Sequence, residues 1–104
     1  MKKNRTKRNK VKNYPPYQVV GLLADIDETE AQGFFHALQR EHFTQANCVF
    51  APKTKLCPGC LQTFIVGNSI TTLFVDTRLE FDGMGSIGAM NECEIYIVAH
   101  DETK

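Results

Sequence analysis

Apolar residues along this chain come in short blocks, and the spacing within each block differs. Residues 18–26, QVVGLLADI, form a compact apolar run of strand length. In DETEAQGFFHALQREHF the period changes: Ala31, Phe34, Phe35, Leu38 and His42 fall on one helical face. Asp27 ahead of Glu30 supplies a capping box, so the spacing predicts a helix from about residue 28 to Phe43. CVFA (48–51) reads as a strand that Pro52 ends. LQTFIV and SITTLFVDTRLEF alternate as strands do, and Gly67-Asn68 between them is a two-residue hairpin signal. In the second arm Leu73, Val75, Thr77, Leu79 and Phe81 share one side, leaving Asp76, Arg78 and Glu80 on a solvated side. DGMGSIGAMNE reads as a loop, and CEIYIVAH (93–100) as the last strand. This order predicts an α+β fold, with one helix packed on a mostly antiparallel sheet of four to five strands.

Charge adds a feature that hydropathy does not show. The net charge is zero, yet residues 2–12 hold Lys2, Lys3, Arg5, Lys7, Arg8, Lys10 and Lys12 and no acid. Only five cations remain to face all twelve acids. The expectation is a flexible, disordered basic arm over residues 1–13, joined through the proline-stiffened NYPPYQ to one domain over 14–104. Such an arm suits phosphate backbones, where affinity comes from counterion release. It also suits a nuclear localisation patch or a tail lying on its own acidic body.

The most chemically pointed stretch is KLCPGCLQ, residues 55–62. A redox pair needs a helix directly after the cysteines, whose N-terminus lowers the first thiol's pKa. The alternation downstream predicts a hairpin there, which disfavours redox chemistry. A metal knuckle needs only a tight turn with a strand leading away. KLCPGCLQTFIVGNSITTLFV resembles the first half of a zinc ribbon, CPxC followed by a hairpin, over about twenty residues. The ribbon's second CxxC is missing, since that region reads VDTRLE. The resemblance implies Zn on Cys57 and Cys60; two further ligands would have to come from elsewhere, and Cys48 and Cys93 are the natural candidates, with His42 in reserve. The competing expectation is that Cys48 and Cys93 are buried small hydrophobes.

Other candidates carry less. Gly83-x-Gly85-x-x-Gly88 matches a dinucleotide pattern, but the following helix that would hold a pyrophosphate is not expected. His36, His42 and His100 fall in no nucleophile–base signature, so an enzyme is not expected. Without an apolar run of membrane length or a leader pattern, the chain is expected in the cytoplasm, or the nucleus of a eukaryote. The functional expectation is a small non-enzymatic binding module that meets nucleic acid or a ribonucleoprotein through its arm. The alternative is a regulator or inhibitor of the kind mobile elements encode. It would meet a basic protein surface through an acidic sheet face of Asp76, Glu80 and Asp82, with Glu92 and Glu94 nearby.

Overall fold

A computed structural model of the chain describes residues 18–41 and 46–99. The basic arm, Tyr14, Tyr17, His42 and His100 lie outside the described residues. Four strands, β1 (Val19–Ala24), β2 (Asn47–Pro52), β3 (Thr72–Asp76) and β4 (Glu94–Val98), make one sheet in the order β2-β1-β3-β4. Every neighbouring pair is parallel: Val20 lies beside Cys48 and Thr72, and Thr72 beside Glu94. Helix α1 (Glu28–Glu41) joins β1 to β2, α2 (Pro58–Asn68) joins β2 to β3, and α3 (Met84–Met90) joins β3 to β4.

The expected single helix on a mostly antiparallel sheet did not form: among the described residues three α-helices pack on four strands that are all parallel. Parallel neighbours cannot be joined by a tight turn; each needs a crossover long enough to return to the same end of the sheet. Helices α1, α2 and α3 each lie in such a crossover. The supposed hairpin at Gly67-Asn68 is the last turn of α2. Ser69, at φ 55°, ends that helix in the left-handed region and donates its N–H to the carbonyls of Ile65 and Val66.

Segment 58–68 forms a helix because its ends are well specified and its inner face is apolar. Cys57 caps it and Pro58 occupies the first turn, where a missing N–H costs nothing. Leu61 and Ile65, four residues apart, are buried, with Phe64 beside them. Exposed Val66 widens the apolar stripe and blurs the helical period.

Two apolar layers flank the sheet. Ala31 and Phe35 of α1 pack with Val20, Leu22 and Ala24 on one face. On the other, α2 and α3 cover Leu23, Leu73 and Val75 through Leu61, Ile65 and Met84. The central strand β3 is thus buried on both sides, so its near-continuous apolar run is the pattern of a parallel strand. It stops at Asp76, and Thr77–Leu79 turn into a single 3₁₀ turn where a long strand was expected.

The glycines at 83, 85 and 88 do not form the expected loop. Gly83 (φ +91°) starts α3, and Gly88 lets that helix press onto the start of β4. A Cβ at Gly88 would stand 2.8 Å from the Cys93 carbonyl oxygen and 2.7 Å from Ile95 Cδ1. Close packing accounts for Gly88, and a seven-residue helix beginning inside the motif does not meet the geometry of a dinucleotide site.

Candidate redox site

CPGC emerges where the chain leaves the carboxyl end of β2 and enters α2. The Lys53 N–H donates to the Ala24 carbonyl at 3.1 Å, tying the connecting loop to the end of β1. Leu56, ahead of the pair, packs against the core, and Leu61, just after it, is fully buried. Between these two apolar anchors, residues 57–60 are exposed. The sequence thus pins both sides of a short segment and leaves its sulfurs at the surface.

Cys57 and Cys60 are joined as a disulfide, with their Cα atoms 5.1 Å apart. Cys57 has extended backbone (φ −107°, ψ 160°), and its carbonyl accepts the first helical hydrogen bond from the Leu61 N–H at 3.0 Å. Its Sγ accepts the backbone N–H of Cys60 at 3.1 Å. That bond places the Cys57 sulfur at the positive end of α2. The strand–loop–CPGC–helix order is the context that the expected hairpin would have denied to redox chemistry.

The other two cysteines do not join this pair. Cys48 sits on edge strand β2 and packs on the α1 face, where Gln39 Nε2 lies 3.5 Å from its Sγ. Cys93 precedes β4, at the other edge and on the α2–α3 face. Three strand spacings, roughly 14 Å, separate the two edges, and the sheet itself separates the two faces. Among the described residues no group of three or more His, Cys, Asp or Glu side chains is placed to hold a metal. The expected set of Cys48, Cys57, Cys60 and Cys93 is not gathered, because the strand that carries Cys48 and precedes Cys57 lies at the edge opposite Cys93, with Cys48 and Cys93 on opposite faces.

Burial pushes the Cys93 thiol up to about 11, with a smaller contribution from the neighbouring Glu94 carboxylate. Burial also raises the Cys48 thiol. Both stay protonated at neutral pH and behave as small apolar groups.

The acidic trio is also rearranged. Asp76 is only 2% exposed; its Oδ1 accepts the Arg78 N–H at 2.9 Å and its Oδ2 meets Arg78 Nη2 at 3.2 Å. It caps the 3₁₀ turn from within, so it offers no charge to a partner surface. Glu80 and Asp82 are exposed, but in the loop after that turn. No solvated sheet face holds the three, since β3 is covered on both sides.

What the sequence reading missed at the site is α2, and the clue was local. A cysteine at the cap position, proline next, then Leu61 and Ile65 at four-residue spacing is a helix start as well as a turn. No family model matches the chain, and neither a curated protein nor a solved structure matches it. No helix among the described residues is long and apolar enough to cross a membrane.

Proposed function

We propose that the protein acts by thiol–disulfide exchange at Cys57 and Cys60. The observation that carries this reading is the exposed CPGC disulfide capping α2, with Cys57 Sγ on a helix-terminal amide. In the reduced state the Cys57 thiolate attacks one sulfur of a substrate disulfide, giving a mixed disulfide and releasing the other sulfur as a thiolate that takes a proton. The Cys60 thiolate then attacks Cys57 Sγ, closes the internal disulfide and releases the second substrate sulfur. Two electrons pass to the substrate, and an external dithiol of low molecular weight restores the reduced pair.

The test is reduction of a protein disulfide by the purified chain, with dithiothreitol supplying electrons. Turnover is expected above the dithiothreitol background, lost in Cys57→Ser, while Cys60→Ser accumulates a mixed disulfide at Cys57. A pair that Cys57→Ser leaves equally active overturns the reading. So does a purified chain carrying one tightly held Zn per molecule on those two sulfurs.

A second reading concerns a different part of the chain and is supported by the seven cations and no acid in residues 2–12. This segment would bring the chain to nucleic acid or a ribonucleoprotein through phosphate contacts. Affinity for RNA or DNA should then fall steeply with salt and vanish on deletion of residues 1–12. Binding that survives the deletion overturns it.

A further inference from the structure

The two edges of the sheet are not alike. Edge strand β2 ends in Pro52, and its inner residues are all half-buried. Edge strand β4 is apolar along its length after Glu94 and exposes large residues on both faces. Of the four large hydrophobic residues exposed among those described, Tyr96 (47%) and Ile97 (39%) lie on β4, and Met90 (71%) ends the helix packed beside it. On the α1 face an aromatic row runs from Phe34 to Phe74 to Tyr96, each step 5.4 Å between ring centres. Tyr96 ends that row half uncovered, its hydroxyl donating to Glu94 Oε1 at 3.0 Å.

Backbone register says what could continue the sheet. The Glu94 N–H donates inward to the Thr71 carbonyl, and in a parallel strand inward bonding alternates with every second residue. Glu94, Tyr96 and Val98 therefore bond to β3, while Ile95 and Ile97 turn their N–H and C=O outward. Pairing with a strand of the same sequence in antiparallel sense sets Ile95 opposite Ile97 and Ile97 opposite Ile95. Those are hydrogen-bonded pairs and supply about four backbone bonds. Tyr96 then meets Tyr96 of the second copy at the closely spaced position, which lengthens the aromatic row. Each Glu94 lies opposite an aliphatic Val98, so the charged residues stand at opposite ends of the pair and do not oppose one another. A two-fold axis through Tyr96 satisfies both copies equally, as an isologous interface requires.

We propose that β4 is a self-association edge: two copies of the chain pair antiparallel through residues 94–98, centred on Tyr96, into one continuous eight-stranded sheet. The register makes this testable beyond size alone. Sedimentation of the full chain over a range of concentrations is expected to show a monomer–dimer equilibrium. Ile97→Lys, checked for native circular dichroism, is expected to raise the dimer dissociation constant at least tenfold. Independently of that variant's folding, Tyr96→Cys is expected to give on oxidation a covalent dimer linked 96 to 96, located by peptide mass. A chain that stays monomeric at every concentration overturns the proposal, whether solvent, a terminal segment or another protein covers the edge. A dimer in which Tyr96→Cys gives no 96–96 link overturns it equally.

Discussion

At Cys93 a single sulfur is asked to stay neutral inside the layer between the sheet and α3, where it is only 5% exposed. Its thiol is raised from the ordinary 9.0 to about 11, first by burial and then by Glu94. A group whose folded pKa lies above its unfolded value stabilises the fold below the unfolded value and loses that contribution as pH rises through the folded one. The contribution is therefore complete below about pH 9 and fades between 9 and 11, by on the order of 2 kcal/mol. Urea unfolding of wild type and Cys93→Ala across that window should show the gap between them narrowing as pH rises. A constant gap would mean that the thiol ionises as easily folded as unfolded. Cys57 is the opposite case, an exposed sulfur on a helix terminus. With the pair reduced at neutral pH, iodoacetamide should modify Cys57 well before Cys93, as peptide mass would show.

At the scale of elements, the helices were legible where caps and period agreed. Asp27 and Glu30 announced α1, and Asp27 Oδ1 does accept the Glu30 N–H at 2.8 Å. Replacing Asp27 with Ala should cost about 1 kcal/mol in denaturant unfolding, because that amide loses its side-chain partner. Helix α2 was not legible because its outward positions are also apolar or β-branched, as Thr63 and Val66 show, and alternation could be read into it as easily as a turn-by-turn stripe. The same ambiguity extended β3. A strand buried on both faces has no polar alternation to mark its end, so Asp76 and Arg78 were assigned to a solvated face when they close a 3₁₀ turn. Sequence reasoning thus found the CPGC residues and misjudged the element that decides their chemistry.

At the scale of the molecule, the fold does not lean on its disulfide. Cys57 and Cys60 close a loop three residues in separation, and a loop that short restricts the unfolded chain by no more than about 2 kcal/mol. The two packed layers, anchored by Leu23, Leu61 and Leu73 on one side and Val20, Leu22 and Phe35 on the other, hold the sheet independently of those sulfurs. Far-ultraviolet circular dichroism should be unchanged on reduction, with the unfolding midpoint lowered only modestly. A chain that unfolds on reduction would instead make the disulfide a structural staple and weaken its case as an exchangeable pair.

Strand β1, early in the chain, sits at the centre of the sheet with neighbours on both sides. A ribosome delivers β1, α1 and β2 before α2 and β3, and that much can cover only one face of the sheet. Leu23 and Ala51 on the opposite face wait for α2 and the strand after it. During synthesis Cys57 and Cys60 therefore leave the tunnel before β3 emerges to complete the second layer. The nascent chain passes through a stage in which two thiols and an uncovered apolar sheet face are presented together, open both to chaperones and to oxidants.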